Sequence, residues 1–146
     1  MKILVLHGPN LDLLGVREPQ TYGTETLEGI TVHLDALAGE LGVSLAHFQS
    51  AHEGALVDRV HAAWRDDAAG AVVNPAGYTH TSVALRDAFL ATRLPFVEVH
   101  LSNVHGREPF RQKSLLADIA VGVVAGMGPI GYELALRGLV DHLGRA

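Results

Sequence analysis

No cysteine occurs in this chain of 146 residues, and that absence removes disulfides, thiolate catalysis and cysteine-ligated zinc or iron–sulfur centres together. Lysine is almost missing as well. Lys2 and Lys113 are the only two, and neither sits in the kind of desolvated pocket that activates an amine for Schiff-base chemistry. Charged residues make up only 18% of the chain against 48% hydrophobic ones, which excludes a disordered polypeptide. The net charge of −5 argues against a generic nucleic-acid or anionic-membrane surface. No long hydrophobic run is present. The uncharged stretch Ile119 to Tyr132 carries four glycines and a proline and falls short of the ~18–20 residues of a spanning helix. Met1-Lys2 leads into an apolar run too short for a signal peptide, so a cytoplasmic protein with one domain over residues 1–146 is expected.

What is there is organised around residues 3 to 23. Ile3 to His7 is an apolar run of the buried-strand type, broken by Gly8-Pro9. The loop that follows carries Asn10, Arg17, Glu18 and Tyr22 and closes on Gly23, far longer than the ~2–6 residues of an ordinary strand-to-helix connection. Long loops at the carboxyl end of a buried strand are where open α/β sheets bind ligands. A solvated surface loop is the plainer alternative, but Tyr22 and Arg17 within one glycine-bounded loop favour a site.

Beyond that loop the pattern alternates. Leu27, Ile30, Leu34, Leu37, Ala38 and Leu41 recur at helical spacing, with Thr24 or Thr26 as cap and Gly42 as stop. Val43 to Gln49 reads as a second strand. A helix with the stripe Leu56, Val57, Val60, Ala63 and Trp64 follows, stopped by Gly70. Ala71 to Asn74 is the third strand, and Leu85, Ala88, Phe89 and Thr92 mark the next helix. Phe96 to His100 is the fourth strand, Leu101 to Lys113 an irregular basic segment, and Ile119 to Ala125 the fifth strand. Tyr132, Leu136, Leu139, Val140 and Leu143 form the inner face of a last helix. Strands this apolar call for a parallel sheet covered by helices on both faces, and the flavodoxin-like order 2-1-3-4-5 is predicted.

Polar groups gather after three of the strands: Asn10 to Tyr22, Asn74 to His80, and His100 to Ser102. Parallel strands bring those ends to one edge, so the three groups converge on one site. Nine histidines raise the question of a metal, but no HExxH-like pair of ligands is spaced to hold one. His33, His47, His61 and His142 read as satisfied or partly exposed side chains, whereas His80 and His100 follow strand ends. Gly126-x-Gly128-x-x-Gly131 matches the dinucleotide fingerprint but follows the last strand, so it reads as a tight strand-to-helix turn. Ser82 reads as a helix start, not a nucleophile. An FMN site lacks its hydroxyl-rich first loop, and a phospho-acceptor module lacks its aspartate, since Asn74 ends the third strand.

GPNLDLLGVREPQTYG, NPAGYTHTSVALRDA and VEVHLSNVHGREPFR together resemble the type II 3-dehydroquinate dehydratases, over nearly the whole chain and in the family's order. His7 and Asp12 stand where asparagine is common in that family, Ala51 replaces an asparagine in the QSxxEG segment, and Leu115 stands where tyrosine is usual. The resemblance implies loss of water from 3-dehydroquinate through an enolate, with no cofactor, metal or Schiff base, a reaction that serves aromatic biosynthesis and quinate breakdown alike. By the same resemblance Tyr22 is the base, Arg17 and Arg111 supply positive charge near it, and Asn10 stabilises the enolate through a water. His100 is the general acid, oriented by Glu98 two residues earlier on the same strand face. Asn74 positions His100 or the substrate. Ser102 and the Leu101 backbone N–H meet the substrate carboxylate, while His80 and Arg111 hold ring hydroxyls. Asp87 reaches the site of a neighbouring subunit, in trimers that assemble into a homododecamer. A small-ligand-binding module on the same scaffold, without catalysis, is the alternative of another class.

Overall fold

The computed structural model describes residues 1–16 and 25–145. Its strands are β1 (Lys2–His7), β2 (Ser44–Gln49), β3 (Gly70–Asn74), β4 (Phe96–His100) and β5 (Gly122–Ala125), and its helices α1 (Leu27–Leu41), α2 (Glu53–Arg65), α3 (Val83–Thr92) and α4 (Ile130–Gly144). The sheet is parallel throughout, in the order β2-β1-β3-β4-β5, so the flavodoxin-like topology expected from the alternation is the one observed. β1 and β3 are aliphatic on both faces because helices cover both. Val5, Val72 and Val99 pack with Tyr132 and Leu136 under α1 and α4, and Leu4, Leu6, Val73 and Phe96 pack under α2 and α3.

Local chemistry sets the helix ends. The Thr26 hydroxyl accepts from the Gly29 N–H and the Ser82 hydroxyl from the Leu85 N–H, each satisfying a donor that the first helical turn leaves open. Gly42 caps α1. In the turn after β5, Gly126 and Gly128 take φ of 89° and 68°, a left-handed backbone that admits glycine readily, and this carries the strand into α4.

The structure corrects four details of the sequence pattern. Gly70 does not stop α2. The helix ends at Arg65, Asp67 turns the chain with φ 58°, and Gly70 already opens β3. Trp64 is 52% exposed, since the buried stripe of α2 is Leu56, Val60 and Ala63, and the next residue is rotated about 100° out of it. β5 is shorter than its apolar run, because the N–H groups of Ile119 and Ala120 turn back onto the Leu116 carbonyl. The edge strands β2 and β5 are not buried on both faces, and Ser44 and Val123 face solvent. No helix among the described residues is long and apolar enough to cross a membrane.

One close approach holds the two central strands together at their carboxyl ends. The Gly8 N–H donates to the Asn74 carbonyl at 2.8 Å, and a Cβ at position 8 would lie 2.3 Å from the Pro75 carbonyl oxygen. Only glycine fits there. Gly8→Ala is expected to cost at least about 3 kcal/mol by forcing these backbones apart, read as a lowered urea midpoint at unchanged slope.

Candidate active site

β1 leads outward to β2 on one side and its other neighbour is β3, so the crevice between β1 and β3 is the point where the strand order reverses. Two residues there hold left-handed backbone without being glycine: Asn10 at φ 69° and Ala76 at φ 53°. Asparagine tolerates that region, whereas alanine is strained in it by about 1 kcal/mol or more. The strain is held in place by hydrogen bonds. The Asn10 carbonyl accepts from Leu13 N–H at 3.0 Å, and the Ala76 N–H donates to Asn74 Oδ1 at 3.1 Å. Asn74 is itself buried, its Nδ2 donating to the Tyr132 hydroxyl at 3.0 Å.

From the opposite face of the sheet come Glu98 and His100, two residues apart on β4. Their side chains are 1% and 7% exposed, and His100 Nε2 meets Glu98 Oε2 at 2.5 Å. A buried carboxylate is costly unless each oxygen is satisfied. Here the Thr79 hydroxyl donates to Oε2 at 2.7 Å, and Ser114 Oγ reaches Oε1 at 2.9 Å. Burial pushes the Glu98 carboxyl up, but His100 and the two hydroxyls outweigh it and leave it below the usual range. Glu98 is thereby held as an acceptor, and His100 Nε2 as the donor facing it. That leaves Nδ1 as the ring nitrogen available to a ligand.

The rest of the site comes from loops beyond β3 and β4. His80 Nδ1–H donates to the Lys113 carbonyl at 2.7 Å, which leaves Nε2 as the nitrogen that can meet a ligand. Arg107 donates to the Ser102 hydroxyl at 3.4 Å. Arg111 pairs with Glu108 at 3.0 Å, and Glu108 lies 3.7 Å from Arg107 as well. Asn10, Asn74, His80, His100, Leu101, Ser102 and Arg111 line one open cleft of about 220 Å³, so seven of the residues singled out in the sequence converge. Glu98 sits behind His100, outside the lining. Asp87 is exposed on α3 and does not line this cleft. Arg17 and Tyr22 lie outside the described residues.

Sequence reasoning passed over Arg107, which lines the cleft and lay in plain view in the basic segment. It also passed over Thr79, Ser114 and Tyr132, whose roles depend on partners far away in the chain. His7 was noted only as a departure from asparagine. It is 1% exposed, its Nδ1 3.0 Å from the Tyr132 hydroxyl.

A parallel sheet in this order, with one polar cleft at its switch point and a buried carboxylate–imidazole pair opening into it, defines a flavodoxin-like α/β protein with a small-molecule site. The chain belongs to the class II dehydroquinases: the family model described as Dehydroquinase class II matches residues 1–140. A 3-dehydroquinate dehydratase of Bordetella avium is 60% identical over 140 residues, covering 96% of this chain and 97% of the relative. The crystal structure of the type II dehydroquinase from Butyrivibrio crossotus superimposes with a TM-score of 0.93 at 39% identity, covering 95% of this chain and 97% of that one. The type II dehydroquinase from Propionibacterium acnes gives 0.90 at 41% identity, with 96% of each chain covered.

Burial, joined by the neighbouring His47, pushes the His7 imidazolium from its ordinary value of 6.5 down to about 3. The unfolded chain therefore binds a proton at His7 that the folded protein refuses. Stability from this group is full above pH ~6.5 and is lost as pH falls toward ~3, by several kcal/mol in total. Glu98, also depressed, adds a loss of the same sign at the acid end. Urea unfolding of the wild type is expected to weaken steadily across that window. His7→Asn, which cannot titrate there, should flatten the profile between pH 6.5 and 5.

Proposed function

We propose that this chain is a cofactor-free lyase that dehydrates 3-dehydroquinate to 3-dehydroshikimate. The observation that carries the reading is the buried Glu98–His100 pair behind a cleft lined by Arg107 and Arg111, in a chain whose relatives bear the name 3-dehydroquinate dehydratase. A phenolate at Tyr22 takes a proton from the carbon beside the ketone, its charge favoured by the Arg17 guanidinium. The electron pair moves onto the ketone oxygen, and Asn10, through a water, stabilises the enolate. When the enolate collapses, the carbon–hydroxyl bond breaks as the new double bond forms. The leaving hydroxyl takes a proton from His100 and departs as water. Proton exchange with solvent then restores Tyr22 and His100.

Positioning follows the same map. Glu98 fixes the His100 ring, and Asn74 orients His100 or the substrate. Ser102, steadied by Arg107, and the Leu101 N–H receive the substrate carboxylate, while His80 and Arg111 hold the ring hydroxyls. Asp87, exposed on α3 and away from its own cleft, serves the cleft of a neighbouring subunit within a trimer, and four trimers form a dodecamer.

Absorbance of the conjugated enone carboxylate should rise when folded protein meets 3-dehydroquinate at neutral pH. No rise would sink the lyase and favour a binding module on the same scaffold. Tyr22→Phe should lower kcat by about 10²–10⁴-fold with ligand affinity largely kept, because only the base is lost. Arg17→Lys should also be severely impaired, since lysine keeps the charge but not the planar fork. Near-normal kcat in Tyr22→Phe would remove the tyrosine from the reaction.

Light scattering with a parallel activity measurement tests the shared site. The active species is expected at the mass of a trimer or a multiple of it. A fully active monomer would take Asp87 out of the site.

A further inference from the structure

Behind Asn74, on the face of the sheet away from Glu98, lies a line of polar side chains that the proposed reaction leaves unused. Asn74 Nδ2 meets the Tyr132 hydroxyl at 3.0 Å, the same hydroxyl meets His7 Nδ1 at 3.0 Å, His7 Nε2 meets His47 Nδ1 at 3.5 Å, and His47 Nε2 meets Asp35 Oδ1 at 2.9 Å. The imidazole planes of His7 and His47 are 12° apart. Burial falls from Tyr132 and His7, at 0% and 1% exposure, to Asp35, whose side chain is 59% exposed. The line therefore runs from the cleft to the surface.

Its polarity is fixed at both ends by groups that cannot reverse. The Ala76 backbone N–H can only donate, so the Asn74 atom it meets at 3.1 Å is the carbonyl oxygen, and the amide nitrogen must face Tyr132. The Tyr132 oxygen accepts there, so its own proton goes to His7 Nδ1. His7 then carries its hydrogen on Nε2 and gives it to His47 Nδ1. His47 in turn carries its hydrogen on Nε2 and gives it to the Asp35 carboxylate, which at neutral pH can only accept. Every donor meets an acceptor in one order. The buried His7 is held neutral, as the order requires.

We propose that Tyr132 and His7, oriented from the surface by His47 and Asp35, are positioning residues that hold the Asn74 carboxamide in a single orientation toward the cleft. Both of these hydrogen bonds on Asn74 are made within the protein, to Tyr132 and to Ala76 at the cleft wall, leaving its second N–H and second lone pair to a ligand. Without the Tyr132 acceptor the carboxamide is tethered only through Oδ1, to a strained turn at Ala76. A histidine at position 7 extends this line to β2. An asparagine there would keep an acceptor near the Nδ1 position and lose only the link to His47.

Two measurements test this, and only the second rests on the dehydratase reading above. In ¹⁵N spectra of the folded wild type at neutral pH, His7 is expected as a neutral ring with its hydrogen on Nε2, and His47 is expected to carry a hydrogen on Nε2. A hydrogen on His7 Nδ1 would overturn the proposal whether or not the protein turns over 3-dehydroquinate. In kinetics, Tyr132→Phe and His7→Leu should each lower kcat about tenfold with KM changed less than about threefold, and His7→Asn should restore most of the loss. Wild-type kcat in a folded His7→Leu protein would overturn it, as would an equal loss in His7→Asn and His7→Leu. If Tyr132→Phe or His7→Leu fails to fold, the wild-type spectra decide alone.

Discussion

A carboxylate with no exposure has to be answered from every side, and the geometry around the cleft follows from how Glu98 is answered. Its oxygens draw in His100 from its own strand, Thr79 from the turn after β3, and Ser114 from the segment leading to β5. Three stretches far apart in sequence are thereby tied to one point. The Ser114 hydroxyl also accepts from the N–H groups of Leu116 and Ala117, so the turn that starts the approach to β5 hangs on the same anchor. Removing one partner of such a group leaves an uncompensated charge, which costs far more than the pair contributes. The arrangement makes His100 directional as well as buried, because only one of its nitrogens remains for a ligand.

The sheet separates two kinds of polar support. On the α2–α3 side an ionised group organises its neighbours. On the α1–α4 side the support is neutral: Tyr132, His7 and Asn74 share hydrogen bonds under a hydrophobic layer. Burial raises the Tyr132 hydroxyl above its ordinary range, so it stays a phenol and can donate as well as accept. The two supports meet only at the carboxyl ends of β3 and β4, where both faces of the sheet open onto the cleft. A long-lived site built this way relies on strands for placement and on loops for chemistry.

Much of this was legible because the sequence is locally consistent with the fold. Phe96 to His100 reads as a strand and is one, Thr26 and Ser82 sit at helix starts, and six of the residues that line the cleft, Asn10, Asn74, His80, His100, Leu101 and Ser102, stand out because they follow strand ends. What was not legible is what depends on the third dimension. Trp64 fits a helical stripe as well as its neighbours do, and only the packing of α2 decides that it stays out. The apolar run before β5 continues through Ile119, but a turn onto Leu116 uses those N–H groups first. Thr79 and Ser114 are ordinary hydroxyl residues until Glu98 is placed between them. His7 looked like a departure from a family habit, and its partner His47 lies on another strand. Arg107 had the right chemistry and position in the basic segment and was simply outnumbered there by Arg111.

The placement of Trp64 sets what light can report about this molecule. It is the only tryptophan, it stands half-exposed on α2, and it is absent from the cleft lining. In a single copy of the chain the indole is therefore in contact with water, open to soluble quenchers, and away from the described cleft. A blue shift in its emission would have to come from something covering the outer side of α2. The indole is thus a gauge of what that helix meets, while occupancy of the site has to be followed by the ligand's own absorbance.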